Sequence, residues 1–252
     1  MKKWFFGLLI LTILAGATGG YMVSAMKKDS SDRETYVYAE WGDHKSLEGL
    51  EIEVQEYTEH DTGTVEWTKE TYHVVKGVFV PDSATEELSS SEYRKRLTVG
   101  RLAVPAGSVY TSVSIDGEEG NRVITVSDRD GGGELFRVEI GDRTADNAVC
   151  IDGENCGIAY LPSVERYYAI FRSDSGTWRA DEYSAKEVKD WLSGSKEKAV
   201  AYDGSRLAIL VGDDWVSDFN MVILKDGKFV FRGIINSAGK GFIPGLTTIR
   251  FR

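Results

Sequence analysis

The stretch FNMVILK-DG-KFVFRG, residues 219–233, decides the fold class of this chain. Two largely apolar runs flank Asp226-Gly227, a dipeptide typical of the two-residue type I′ turn that joins antiparallel strands. The stretch therefore predicts a β-hairpin. Asp-Gly recurs at 116–117, 130–131, 152–153 and 203–204, among further strand-like runs such as NRVITVSD, ELFRVEI, RYYAIFR and RLAILVG. The repeated pattern predicts an all-β protein built from antiparallel hairpins.

A weak internal repeat suggests how these hairpins are grouped. The segments YTSVSI, GIAYLP and KAVAYD, near residues 113, 158 and 200, each precede a strong strand and a hairpin signal. Their period of roughly 42–45 residues is near that of a four-stranded propeller blade, and about five such units would fill the chain. We therefore predict a propeller-like arrangement of antiparallel four-stranded units. A β-sandwich is the alternative, because regularly spaced hairpins also build sandwiches.

Two short accessory helices are predicted beside the strands. Residues 83–97 (SATEELSSSEYRKRL) and residues 184–192 (SAKEVKDWL) each begin with a serine that is followed three residues later by a glutamate. This spacing is the capping box of a helix N-terminus. Both segments are too short to change the fold class.

The N-terminus carries an export signal. Residues 4–25 contain no charged side chain and follow Lys2 and Lys3; as a helix they would span about 33 Å, enough for a bilayer core of about 30 Å. We predict a signal anchor or a cleaved signal peptide over residues 1–28, because small-residue cleavage patterns also occur at Ala15-Gly16-Ala17 and Val23-Ser24-Ala25. A polar linker over residues 29–34 and an extracytoplasmic domain over residues 35–252 would follow. The expected location is the cell membrane, with one span and the bulk of the chain outside, or the medium after cleavage.

The charge balance excludes one class of partner. Beyond residue 28 the chain has 26 basic and 40 acidic residues, a net charge of −14. An acidic surface repels phosphate, and no Lys/Arg cluster predicts a basic groove. Nucleic acid is therefore excluded as a partner, whereas the membrane is expected to hold the N-terminal helix.

The only two cysteines, Cys150 and Cys156, bracket Asp152-Gly153. In an oxidising compartment, a pair across a predicted turn favours a local disulfide. Two free thiols are the first alternative. Metal or redox chemistry is the second, although zinc sites need about four ligands and redox pairs usually have two intervening residues.

Other metal ligands are scattered. His44, His60 and His73 are the only histidines, and their spacing does not predict convergence on one ion. A glycine-rich tip, SDRDGGGE (127–134), holds two aspartates and a glutamate, a partial cation loop that is equally typical of a solvated hairpin tip. We predict no metal site and no cofactor.

Paired carboxylates raise one catalytic alternative. Asp61 and Asp174 each begin an Asp-Thr/Ser-Gly triplet, the element that supplies the two acids of aspartic proteases. Both triplets also look like exposed hairpin tips, in which such residues are common. A cell-envelope hydrolase that draws on Asp61, Asp174, Asp213 or Asp214 is therefore the rival interpretation.

The stretch WGDHKSLEGLEIEVQEY (41–57), followed by TVEWTKETYH (64–73), resembles the start of a group of uncharacterised, signal-anchored exported proteins of Gram-positive bacteria. The two stretches make up about a tenth of the chain. The resemblance implies an extracytoplasmic β-rich fold and supplies no activity.

Taken together, these features favour a membrane-tethered extracytoplasmic domain without an assembled catalytic site. Export, a tether and many aromatic residues on a β scaffold predict a module that binds a protein or a cell-envelope ligand. No catalytic residue is expected, and Cys150 and Cys156 are expected to form a disulfide.

Overall fold

The computed structural model describes residues 36–42, 44–59, 64–75, 78–89, 91, 107–118, 120–129, 131–141, 143–212, 218–236 and 247–252. The predicted anchor (1–28) and linker (29–34) lie outside these residues.

The described chain is all-β, as predicted, and its strands are antiparallel within each sheet. The strands are β1 Tyr36–Gly42, β2 Leu50–Glu59, β3 Thr64–Val75, β4 Val78–Ser89, β5 Thr111–Asp116, β6 Arg122–Asp128, β7 Glu134–Gly141, β8 Val149–Asp152, β9 Cys156–Leu161, β10 Arg166–Arg172, β11 Trp178–Ser184, β12 Glu197–Tyr202, β13 Arg206–Gly212, β14 Asp218–Lys225, β15 Lys228–Asn236 and β16 Thr247–Phe251.

These strands form four sheets, each made largely of strands that follow one another in the chain. Sheet I has the order β5-β6-β7, and sheet II the order β11-β10-β9-β8. Sheet III has the order β1-β15-β14-β13-β12, and sheet IV the order β16-β2-β3-β4. The C-terminal strand β16 therefore completes a sheet whose other strands come from the N-terminal third, and β1 joins sheet III. These pairings tie the two ends of the described chain into one body.

The sheets pack face to face in the order IV, III, II, I. Three clusters of buried side chains fill the successive interfaces. One cluster joins sheet IV to sheet III, the second joins the opposite face of sheet III to sheet II, and the third joins sheet II to sheet I. Sheets II and III are therefore apolar on both faces.

This layering explains why some strands are continuously apolar. In β13, Ala208 and Leu210 face sheet IV, whereas Leu207, Ile209 and Val211 face sheet II. Because successive side chains of a strand point to opposite faces, a strand buried on both faces loses the polar alternation. Sheet I covers only one side of the stack, and β5 accordingly alternates between buried and more exposed residues.

One edge strand of each sheet, which we call its first strand, contacts the first strand of the next sheet. β5 contacts β8, β8 contacts β12, and β12 contacts β16. Two of the three repeat segments mark such first strands, β5 and β12, whereas GIAYLP marks β9, the second strand of sheet II. The repeat thus located sheets correctly but mixed two positions within them.

The hairpin at residues 226–227 is confirmed. Lys225 pairs with Lys228, and Asp226 and Gly227 both have positive φ angles, 50° and 75°. Positive φ at both central residues is the requirement of a type I′ turn, which Asp-Gly meets at little cost.

A helix forms within one of the two predicted segments, whereas the described start of the other is a strand. A four-residue helix, α1, spans Lys189–Leu192 within the predicted 184–192. The start of the other, 83–89, is the end of strand β4, which stays in register with β3 from Val78 to Ser89. The serine–glutamate spacing was a weak local signal, and the ladder along β3 supplies a partner for the backbone that overrides it. Residues 92–97 lie outside the described part of the chain.

Candidate functional site

Five chain segments enclose a cavity of about 510 Å³ at one side of the sheet stack. They are the loop before β5, the β8–β9 turn, the β10–β11 turn, the β12–β13 connection and the end of β16. We call this cavity the arginine cleft, since four arginines line it. The lining residues are Ser108, Glu154, Asn155, Phe171, Arg172, Ser173, Asp174, Ala201, Tyr202, Asp203, Arg206, Arg250, Phe251 and Arg252.

Arg250 forms the floor of the arginine cleft through three ion pairs. Its Nε donates to Glu51 at 2.7 Å, its Nη2 to Glu53 at 3.1 Å and its Nη1 to Glu154 at 2.7 Å. Glu51, Glu53 and Arg250 are 5 %, 2 % and 8 % exposed. Burial alone would lower the pKa of the guanidinium, but the hydrogen bonds from Arg250 to Glu51 and Glu154 and the nearby charges raise it above its ordinary value.

Strand register in sheet IV creates this network. Arg250 of β16 lies directly opposite Glu51 of β2, and Glu51 lies directly opposite His73 of β3. Directly opposed residues have neighbouring side chains on the same face, so the three side chains form a row across the sheet. His73 Nδ1 lies 2.6 Å from Glu51 Oε1. Because Glu154 comes from the β8–β9 turn, the network also links sheet IV to sheet II.

Arg206 closes one side of the cleft and holds it through Nε and Nη1. Its Nε donates to Asp203 at 2.8 Å, and its Nη1 donates to the carbonyl oxygens of Ser46 and Glu48. The guanidinium also lies over the ring of Phe251, 4.2 Å from the centroid, within the range of a cation–π contact. Arg206 is therefore a positioning residue of the cleft wall.

Aromatic side chains form another wall. Phe171 and Tyr202 meet edge to face with ring centroids 5.3 Å apart. The Tyr202 hydroxyl donates to Asp181 at 2.8 Å and lies 2.9 Å from the Tyr183 hydroxyl. Burial and these hydrogen bonds raise the pKa of Tyr202, so it stays a neutral donor.

Two arginines at the mouth of the cleft remain partly uncommitted. Arg252 is held through Nε, 2.6 Å from Glu51 Oε2, and its side chain is 61 % exposed. Arg172 donates through Nη1 to the Gly107 carbonyl at 2.8 Å. Among the described residues, neither Nη group of Arg252 has a partner, and neither do Nε and Nη2 of Arg172. A guanidinium carries five N–H donors, so both can accept a ligand.

The predicted disulfide is not present in this structure. Cys150 and Cys156 are both free thiols, the first exposed and the second buried. Cys150 pairs with Ala159 and Ile151 with Ile158, so the two cysteines lie on opposite faces of the β8–β9 hairpin. Burial raises the pKa of the Cys156 thiol to about 12. The turn brings the two strands together, but the alternation of side chains along them places the two sulfurs on opposite faces of the hairpin.

The histidines do not gather. His73 contacts Glu51, and His44 lies edge to face with Phe231 at 6.0 Å. His60 lies outside the described residues. Within the described ranges there is no group of three or more His, Cys, Asp or Glu side chains that could hold a metal ion. In the glycine-rich tip, Glu134 is paired with Arg137 at 2.8 Å.

The aspartates of the hydrolase interpretation are only partly described. Asp174 is exposed at the β10–β11 turn and lines the arginine cleft. Asp61, Asp213 and Asp214 lie outside the described residues. The structure instead gathers Glu51, Glu53 and Glu154, none of which belongs to the hydrolase interpretation, and each is bonded to Arg250 rather than to another carboxyl group.

A second cavity of about 510 Å³ lies beside the starts of β8 and β12. It is lined by Tyr110, Cys150, Asp152 and neighbours from β5 and β12. Burial raises the pKa of Asp152, although its hydrogen bond from the Val113 backbone N–H and the charge of Arg129 act in the opposite direction. Its cations are engaged: Lys198 donates to two carbonyl oxygens and Arg129 lies over Tyr110.

Comparison with known proteins does not assign the chain to a family. No family model matches the chain, and no curated protein matches it. In the part of the chain that the structure describes, no helix has both the length and the apolar composition needed to cross a bilayer. The predicted span, residues 4–25, lies outside that part.

Proposed function

We propose that this protein is a membrane-tethered, extracytoplasmic binding module whose ligand occupies the arginine cleft. The observation that supports this proposal best is the combination of a preformed cavity, a rigid charged floor and uncommitted donors at its mouth. A volume of about 510 Å³ lies within the range of about 300–1,000 Å³ typical of small-ligand pockets. Arg250 and Arg206 hold the floor and one wall, whereas Arg252 and Arg172 keep N–H groups without partners among the described residues.

Binding is favoured over hydrolysis because of how the acids are arranged. A carboxyl pair that shares a proton needs its two groups in contact with each other. Glu51, Glu53 and Glu154 each bond to Arg250 instead, and Asp174 is exposed at a turn. The described residues thus contain no carboxyl pair arranged for acid–base chemistry. The cell-envelope hydrolase remains the alternative through Asp61, Asp213 and Asp214.

The propeller-like arrangement belongs to the same proposal. Its support is the face-to-face order of four sheets, the contacts between their first strands, and the completion of sheet IV by the C-terminal strand. In a closed ring, sheet I would also pack against sheet IV. An experimental structure with that contact is the expected result, whereas two uncovered end sheets would favour the sandwich.

We also propose that the protein is located at the cell membrane and is related to exported proteins of Gram-positive bacteria. These proposals rest on residues 1–28 and on the stretches at 41–57 and 64–73. A tether would hold the arginine cleft outside the membrane, where cell-envelope polymers and exported proteins are the available ligands.

A sedimentation assay tests the binding proposal. The full-length protein, in mild detergent, is mixed with insoluble cell-envelope polymer and centrifuged, and the bound fraction is measured against polymer concentration. Arg252→Gln and Arg172→Gln remove spare donors without adding bulk. Because a hydrogen bond from a charged group contributes about 1.5–3 kcal/mol, each should weaken binding roughly tenfold or more.

The matched control is Arg137→Gln, on sheet I in an exposed pair with Glu134. It should bind as the unaltered protein does. Equal binding by all four proteins, or equal loss in the control, would contradict a ligand site at the arginine cleft.

A further inference from the structure

The arginine cleft presents spare groups of both signs, and this combination restricts its ligand. Arg250 forms ion pairs with Glu51, Glu53 and Glu154, and Arg206 forms one with Asp203. What remains for a ligand is the set of groups that the wall does not use.

The spare donors at the mouth of the cleft are on Arg252 and Arg172. Arg252 uses only Nε, toward Glu51, and Arg172 only Nη1, toward the Gly107 carbonyl. The two Nη groups of a guanidinium suit a planar carboxylate, which accepts two parallel hydrogen bonds. Arg252, at 61 % side-chain exposure, can turn toward such a ligand without breaking the floor.

The spare acceptors are on Asp174 and Glu154. Within the described residues, the Asp174 carboxylate has no hydrogen-bond or ion-pair partner, although it lines the cleft beside Arg172. Glu154 accepts a hydrogen bond through Oε2, from Arg250, and its Oε1 has no partner among the described residues. Two free carboxylate oxygen sites in one cavity suit an ammonium group, which carries three N–H donors.

The size of the cavity limits the ligand as well. A volume of about 510 Å³ corresponds to a width of about 10 Å if the cavity is roughly spherical. An extended chain advances by at most about 3.3–3.6 Å per residue. A cavity of this width therefore spans two to three residues.

We propose that the arginine cleft binds a short zwitterionic peptide, with its carboxylate on Arg252 and Arg172 and its ammonium group on Asp174 and Glu154. This inference rests on the proposed binding function and specifies its ligand class. A simple anion would leave the acids unpaired next to it, and a simple cation would leave the arginines unpaired. The zwitterion pairs both sets of spare groups at once.

Three dialanine peptides test the inference by calorimetric titration of the full-length protein in detergent. The free peptide carries both charges, the N-acetylated peptide only the carboxylate, and the C-amidated peptide only the ammonium group. The free peptide should bind at least tenfold more tightly than either capped form. Arg252→Gln should reduce only the affinity for the free and acetylated peptides, and Asp174→Asn only that for the free and amidated peptides.

Asp146→Asn, an exposed aspartate elsewhere on the surface, is the matched control and should change nothing; thermal melts of each variant show that it is folded. Equal affinity for the free and acetylated peptides, or no binding of any of the three, would overturn the zwitterion. If sedimentation with envelope polymer still depends on Arg252 in either case, the binding function stands and only the ligand class is wrong.

Discussion

Replacing Arg250 by methionine should be one of the most damaging single changes in the described chain. Methionine keeps the aliphatic length but removes three hydrogen bonds of 2.7, 3.1 and 2.7 Å to Glu51, Glu53 and Glu154. Removing one partner of a buried ion pair leaves the others uncompensated and typically costs about 3–5 kcal/mol. For a domain of this size that corresponds to a fall in Tm of about 6–20 °C, at about 2–4 °C per kcal/mol.

Thermal unfolding followed by the intrinsic fluorescence of the full-length protein measures this effect. Arg137→Met provides the control, since Arg137 and Glu134 are 54 % and 47 % exposed and such pairs contribute about 0–1 kcal/mol. A second variant combines Arg250→Met with Glu51→Gln, Glu53→Gln and Glu154→Gln. It should recover much of the loss, because the unpaired negative charges are gone. If Arg250→Met melts within about 2 °C of the unaltered protein, the network does not stabilise the fold as argued.

Three further outcomes are expected. In the native protein, maleimide should label Cys150 and leave Cys156 unlabelled until denaturant is added; mass spectrometry that finds a joined pair would restore the disulfide. Asp152→Asn should raise the stability of the protein at pH 7 and have no effect near pH 3. Burial raises the folded-state pKa of Asp152 and so disfavours its charged form at pH 7, whereas near pH 3 the carboxyl group is protonated in both the folded and the unfolded state. Equal stability differences in melts at the two pH values would contradict this expectation. Gly157→Ala should cost about 1–3 kcal/mol in urea unfolding, because its Cβ would clash with Val113 Cγ2; the cost should shrink in a Val113→Ala background, and an unchanged cost would contradict the packing of sheet I on sheet II.

The sequence was informative about the fold where local chemistry and tertiary structure agree. Asp226-Gly227 satisfies the turn that it predicts, and the continuous apolar run of β13 matches a strand buried on both faces. It failed at residues 83–89, where a helix-capping pattern sits in a strand. There the long hydrogen-bonded ladder with β3 determines that the segment is a strand, and local sequence propensity carries no information about a partner strand.

The candidate site was harder to predict because it is assembled from distant segments. Glu51 and Glu53 alternate with apolar residues in β2, a pattern that predicts a solvated face, yet both are buried. The usable signal was complementary spacing: LEIEV at 50–54 places acids at every second position, and TIRFR at 248–252 does the same with arginines. Glu154 carried no such signal, since only the folded β8–β9 turn brings it to Arg250.

Occupancy of the arginine cleft in the intact cell tests the central claim most directly. A photoreactive phenylalanine analogue is introduced at Ser108, which lines the cleft, or at Glu139, which is exposed on sheet I, and cells are irradiated. The account predicts a covalent adduct from position 108, its loss when Arg252→Gln is added, and none from position 139. Equal adducts at both positions, or an adduct at 108 that is indifferent to Arg252, would contradict a ligand held in this cleft.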